Sequence, residues 1–222
     1  MLNQYYESKV SEYFQEERHE MLKYIPQDAQ IVLDVGCSSG TFGQSLKSSR
    51  NIEVWGVELD RDAALDASKK LDRVINDAFS PDLNLPQKGF DCIVFNDVLE
   101  HLADPWSALA YSKKLLKDSG VVVSSIPNVR YFNNVWEFLV EKNWEYTDWG
   151  ILDKTHLRFF TQKSILSLFE SLNYEVESIV GINPLSVLHP QHVQKFRLIN
   201  KLLLDNLEDM NYLQFAVVAR PR

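Results

Sequence analysis

A mostly parallel α/β sheet covered by helices is the fold class the sequence predicts, and three observations predict it. Strand-like and helix-like segments alternate from about residue 30 to residue 180. The early strand-like runs are continuously apolar, as strands buried on both faces are, and the first of them turns through glycines into a helix. No internal repeat, low-complexity tract or Gly/Ser linker divides the 222 residues, so residues 1–222 are expected to form a single domain.

Each element follows from its residues. Tyr6, Val10, Tyr13, Phe14 and Met21 fall at roughly helical spacing ahead of Pro26, which predicts an N-terminal helix over residues 5–24 within a segment 1–28. Apolar runs predict strands at 31–35, 53–57, 74–76, 92–95 and 121–125, with helices at 41–48, 62–71 and 102–116 between them. Pro105 sits near the first turn of the last of these helices, where a missing N–H costs little. Thr161 reads as the N-cap of a helix over 162–172, and two further strands are expected at 174–180 and 213–219. Two stretches stand apart. Residues 128–160 are rich in aromatics, and residues 184–210 place Val193, Phe196, Ile199, Leu203 and Leu207 along one helical stripe. Both are expected to be substrate-side insertions, the first with a helix and loop packed on the sheet edge as its alternative, the second packed on its own domain with a pocket lid, a dimer contact or a membrane-surface helix as alternatives. The charges of the second (Lys195, Arg197 and Lys201, then Asp205, Glu208 and Asp209) are too balanced to favour an anionic membrane.

Composition narrows the function classes. With 23 Lys+Arg against 31 Asp+Glu the net charge is −8, which disfavours a broad hold on a nucleic-acid backbone. Two cysteines, Cys37 and Cys92, make no disulfide framework and suit a reducing compartment. Without a signal-peptide pattern or an apolar run of about 20 residues, a cytoplasmic protein with no stable membrane insertion is expected. A homodimer is left open.

The most informative segment is residues 31–43, where a strand runs through Asp34, Gly36, Ser38 and Gly40 to Gly43. Its G-x-x-x-G-x-x-G spacing puts Ser38 where a dinucleotide fingerprint needs a second glycine against the pyrophosphate. Asp34 ahead of the first glycine suits a cationic ligand instead. Glu58 follows Gly36 by 22 residues at the end of the second strand, where a carboxylate can accept both ribose hydroxyls. Asp77 and Asp97 close the third and fourth strands, so four acids stand on the rim where open α/β sheets bind ligands.

These residues resemble those of class I S-adenosylmethionine-dependent methyltransferases, in particular the ubiquinone-type O-methyltransferases and those of bacterial polysaccharide and cell-envelope clusters. The glycine motif, the run from Asn96 to His101 and the segment 152–161 carry the resemblance, which extends over about residues 5–221. It implies a Rossmann-like three-layer sandwich with strand order 3-2-1-4-5-7-6, the last strand antiparallel and helices on both faces. It also implies that Asp34, Gly36, Ser38 and Gly40 surround the methionine part of S-adenosyl-L-methionine, whose product is S-adenosyl-L-homocysteine. Glu58 is then expected to hold the ribose, Leu59 and Phe79 to flank the adenine, Asp77 and the Ala78 backbone to read its edge, and Asn96 and Asp97 to sit beside the sulfonium.

His101 and His156 are the candidate bases, although packing alone also accounts for His101. His156 and Arg158 flank Leu157, so on an extended segment both face one way, toward an anionic or sugar-linked small-molecule acceptor. The alternative is that Arg158 pairs with a surface acid. Asp97, Glu100 and His101 stand at i, i+3 and i+4, a spacing that gathers ligands, and some methyltransferases with a similar segment hold a metal there. Asp97 replaces the usual glutamate and no downstream histidine pair is evident, so no metal is expected. The expected activity is O-methylation of a small molecule or of a sugar or lipid intermediate of the bacterial envelope. Two rivals are a cofactor-binding regulatory module without turnover and an NAD-dependent oxidoreductase or epimerase, the latter opposed by Ser38, by Asp34 and by the lack of a Tyr-x-x-x-Lys pair.

Overall fold

The structure, a computed structural model, describes residues 18–222. Most of the expected N-terminal helix therefore lies outside the described residues, and what is described of it is α1 (His19–Leu22), ending ahead of Pro26. The chain continues through β1 (Ile31–Val35), α2 (Thr41–Ser49), β2 (Glu53–Glu58), α3 (Arg61–Ala67), β3 (Arg73–Asn76) and β4 (Phe90–Asn96). Then come α4 (Pro105–Leu115), β5 (Leu116–Pro127), α5 (Phe132–Trp136), α6 (Gln162–Ser171) and β6 (Tyr174–Pro184), followed by α7 (Leu185–Leu188), α8 (Val193–Leu202) and β7 (Tyr212–Pro221). The seven strands form one sheet in the order β3-β2-β1-β4-β5-β7-β6. All neighbours run parallel except β7, which is antiparallel to both β5 and β6.

The apolar runs are continuous because each strand feeds two cores. Along β4, Ile93 and Phe95 enter one layer while Cys92 and Val94 enter the other. Fully burying such a side chain contributes about 1.5–3 kcal/mol, which makes a buried carboxylate among them stand out. A third, smaller core joins the two insertions. There Phe132 of α5 meets Phe196 of α8 edge to face at 5.4 Å, with Tyr131, Leu185 and Met210 around them.

Several boundaries move for local reasons. The helix expected over 102–116 begins at Pro105, because Asp104 caps it through the Ser107 N–H and a residue before proline avoids the helical region. A short 3₁₀ turn, Leu99–His101, precedes it. Asp97, expected to close the fourth strand, directly follows β4 with a left-handed φ of 53°. The helix expected over 62–71 stops at Ala67, where the glycine loop packs: a Cβ on Gly40 would lie 2.9 Å from the Ala67 Cα. Thr161 does cap α6, in a capping box with Ser164. Among the described residues no helix is long and apolar enough to cross a membrane.

Candidate active site

The C-terminal ends of β1, β2 and β4 build one rim. After β1 the chain turns through Gly36 (φ 68°), Ser38 (φ 51°) and Gly40 (φ 78°) before α2 begins. Two of these three left-handed positions are glycine, which adopts that conformation without a Cβ penalty. The loop is tied to β2 by backbone bonds from Gly36 and Cys37 to the Val57 carbonyl, at 2.8 and 3.1 Å. Glu58 completes the tie: one carboxylate oxygen accepts from the Ser38 N–H and the other from the Asp60 N–H, both at 2.8 Å. Burial pushes the Glu58 carboxyl up, opposed by those two N–H groups. Each oxygen keeps a lone pair for a further donor.

Asp34 lies beneath this loop, 2% exposed on β1. Burial, and then the Glu58 charge, push its carboxyl up to about 8, and its Oδ2 has no hydrogen-bond partner among the described residues. Both amide atoms of Asn96, at the end of β4, are likewise buried and unpartnered. Buried polar groups are normally satisfied, so these atoms mark where a ligand supplies what the protein withholds.

Other expected ribose and adenine residues divide. Leu59 is exposed and presents open apolar surface, whereas the Phe79 ring is engaged with Phe95 and Tyr111 at 5.6 and 5.3 Å. The Ala78 N–H, expected to read the adenine edge, donates to the Asp77 carboxylate at 2.7 Å. Asp97, expected beside the sulfonium, is enclosed: Oδ1 accepts from the Ser125 hydroxyl (3.0 Å) and the Gln214 amide (2.7 Å), and Oδ2 from Arg18. Neither Arg18 nor Gln214 carries a signal in the sequence, since they arrive from 79 and 117 residues away.

One turn beyond Asp97 lies a second cluster. Glu100 is 1% exposed, both its carboxylate oxygens lack a hydrogen-bond partner among the described residues, and burial holds its carboxyl well above the usual carboxylate range. His156 packs against it, Nε2 to Oε1 at 3.9 Å, and meets the His101 ring edge to face at 4.6 Å. The His156 Nδ1–H donates to the Ile151 carbonyl at 2.9 Å. The His101 Nδ1–H faces the Thr155 carbonyl at 3.2 Å and the Thr155 hydroxyl at 3.0 Å, and that hydroxyl donates to Asp153 at 2.6 Å. With both Nδ1 atoms committed to carbonyls, both Nε2 atoms carry the lone pair in the neutral rings. One ligand atom from each of Glu100, His101 and His156 lies within 4.8 Å of the others. The set can take a proton from a hydroxyl, and its donor types also suit a divalent cation. His156 is brought to this cluster across 55 residues as the Leu157 and Arg158 N–H groups bond the Glu100 carbonyl at 2.8 and 3.0 Å.

Arg158 departs from expectation. It is exposed, donates to the Ala103 and Leu157 carbonyls, and does not face the same way as the buried His156. Its charge adds to the Ser107 hydrogen bonds that lower the carboxyl of the exposed Asp104.

A Rossmann-like sheet in this strand order, with a glycine turn after β1 and a carboxylate at the end of β2, is the pattern of the class I methyltransferases. Residues 6–179 match the family described as a methyltransferase domain, and the chain belongs to that family of S-adenosylmethionine-dependent enzymes. It is 24% identical over 165 residues to the ubiquinone biosynthesis O-methyltransferase of Photobacterium profundum, covering 70% of this chain and 68% of that one. To the enzyme so named in Pasteurella multocida it is 32% identical over 127 residues, 48% of this chain and 52% of that one. Among solved structures, a SAM-dependent methyltransferase from Archaeoglobus fulgidus aligns with a TM-score of 0.64 at 22% identity over 90% of both chains. One from Thermotoga maritima, described as a possible histamine N-methyltransferase, aligns at 0.61 and 18% identity over 91% of this chain and 87% of that one. Such structural likeness carries the fold alone. The cofactor is S-adenosyl-L-methionine, and the rim fits it: a cationic, amine-bearing nucleoside supplies the counter-charge and hydrogen bonds that Asp34 and Asn96 lack.

Proposed function

We propose that this enzyme methylates a hydroxyl oxygen of a small molecule, in keeping with a sugar or lipid intermediate of the bacterial envelope, and works in the cytoplasm, where its two buried free cysteines stay reduced. The observation that carries the oxygen reading is the Glu100, His101 and His156 cluster next to the β4 end. A neutral amine needs no base before it attacks, whereas an alcohol or phenol gains from one. The relatives named as ubiquinone O-methyltransferases support the same acceptor atom.

S-adenosylmethionine supplies an electrophilic methyl group and leaves as S-adenosylhomocysteine. The chain does the rest. Asp34 faces the methionine end as counter-ion, Glu58 accepts from the ribose while holding Ser38 and the loop in place, and Leu59 covers the base. His156, its tautomer set by the Ile151 carbonyl, takes the hydroxyl proton at Nε2, the ring atom that lies 3.9 Å from the buried Glu100 carboxyl. Methyl transfer asks chiefly for alignment, so the insertions act by positioning the acceptor.

The test is turnover of sugar, lipid-linked and phenolic acceptors with S-adenosylmethionine. His156→Ala is expected to lose transfer while binding S-adenosylhomocysteine as the native enzyme does; a protein that turns over no acceptor is the regulatory module instead. The unpartnered Glu100 carboxylate favours a second reading, a divalent cation held by Glu100, His101 and His156. Metal content after purification, and loss of transfer on chelation, separate it from a metal-free base.

A further inference from the structure

Between Asn128 and Asn134, just past the end of β5, every polar side chain but one is bonded within the fold. The Asn128 amide donates to the Asp209 and Tyr212 carbonyls at 2.8 and 3.0 Å, and Arg130 forks onto the Asp209 carboxylate at 2.6 and 3.2 Å. Asn134 donates to the Val129 carbonyl at 2.6 Å, and Asn133 is bonded to the His192 ring. Tyr131 is the exception. It is 2% exposed, and its hydroxyl is buried without a hydrogen-bond partner. The other two buried tyrosines among the described residues are satisfied, Tyr111 by the Leu83 carbonyl and Tyr174 by the Leu109 carbonyl.

A buried hydroxyl with no partner costs stability that a phenylalanine would not, and the Tyr131 ring already packs in the small core with Phe132, Leu185, Phe196 and Met210. Burial also pushes its phenol up to about 12, so near neutral pH the group keeps a proton to donate. Its place in the fold says what could receive that proton. The segment is fastened to the one that carries His156: Asn128 pairs with Phe160, four residues beyond that histidine, and the Val129 N–H donates to the Phe160 carbonyl at 2.9 Å. From the second insertion, the His189 ring stands 5.9 Å from that of Tyr131. Tyr131 thus lies at the seam between the two insertions, on the rim side of the sheet.

We propose that Tyr131 is an acceptor-binding residue, whose hydroxyl takes a second oxygen of the acceptor apart from the one that is methylated. This rests on the methyl-transfer reading and narrows it to acceptors with at least two oxygens, such as polyols and diphenols. A lipid with one hydroxyl, or a simple phenol, leaves the Tyr131 hydroxyl stranded, and a site built around a hydrogen bond discriminates against the analogue that lacks it.

Thermal unfolding of the ligand-free protein tests whether the hydroxyl is idle in the fold. Tyr131→Phe is expected to unfold at the native temperature or above it, whereas Tyr174→Phe, which breaks a formed bond, should unfold a few degrees lower. Turnover with S-adenosylmethionine tests the binding role, with glucose set against its deoxy analogues and catechol against phenol. The native enzyme should favour the fuller acceptor about ten-fold in kcat/KM, and Tyr131→Phe should abolish that preference through KM rather than kcat, with S-adenosylhomocysteine affinity unchanged. A Tyr131→Phe protein that unfolds several degrees below the native one, or that keeps the native preference, overturns the proposal. So does native turnover that shows no preference. A native enzyme that turns over no member of either set instead removes the methyl-transfer reading for sugars and phenols, and this proposal falls with it.

Discussion

The cofactor side of this molecule and its acceptor side are built by different rules. Asp34, Gly36, Ser38 and Glu58 stand at the ends of two adjacent parallel strands, and their relative placement follows from the register that pairs Val35 with Val57. The proposed base cluster joins Glu100 and His101, next to β4, to a histidine from an irregular stretch, and the small third core joins residues 132 and 196. The first arrangement is short-range and repeats with the fold; the second is assembled by tertiary contacts and varies freely between enzymes that share the sheet.

Substitutions on each side should part binding from turnover. The largest effect is expected from His156→Ala: a loss of about 10²- to 10⁴-fold in kcat, the usual worth of a positioned base, with cofactor affinity unchanged by calorimetry. Glu58→Ala comes next on the opposite side. It removes the ribose acceptor and frees the Ser38 and Asp60 N–H groups, so affinity for S-adenosylmethionine and S-adenosylhomocysteine should fall about 100-fold, at roughly 1.5–3 kcal/mol per charged hydrogen bond. NAD serves as the non-binding control. If His156→Ala weakens cofactor binding as much as it slows turnover, the two sides are one unit and the contrast fails.

Asp34 gives a subtler, pH-dependent distinction. Its carboxyl titrates near 8 in the fold against 3.8 for an unperturbed group, so its contribution to stability is full at low pH. Between those values the unfolded chain sheds the proton and the fold retains it, and the contribution drains away as pH rises through 8. Thermal unfolding of the ligand-free protein should therefore show that loss, and Asp34→Asn should flatten it. Because a cationic ligand prefers the ionised carboxylate, cofactor affinity should climb over the same range, with proton uptake by buffer visible in calorimetry. The smallest effect belongs to Arg158→Gln. An exposed guanidinium spent on two carbonyls should change the KM of an anionic acceptor by no more than about three-fold, in line with the small worth of exposed ion pairs. A larger change would restore Arg158 to the acceptor site.

What the sequence disclosed follows the same division. The strands from Ile31 and Glu53, the turn at Gly36 and the N-cap at Thr161 are local patterns, and the structure has them where periodicity and capping place them. Asp97 was legible as a rim acid, but not its partners: Arg18 and Gln214 reach it from far along the chain, and no spacing announces that. Arg158 misled because alternation across Leu157 presumes an extended strand, whereas both N–H groups there fold back onto one carbonyl of Glu100.

The position of β7 has a consequence for how the molecule is made. It is the last strand in the chain, yet it lies between β5 and β6, pairing Ser125 with Ala216 on one side and Val180 with Ala216 on the other. Until residues 212–221 leave the ribosome, β5 and β6 have no strand between them, and Gln214 is not there to hold Asp97. A nascent chain must therefore wait, with two open strand edges and a half-built rim, until residues 212–221 have been made. That interval is when aggregation competes best with folding, and when a chaperone has most to protect.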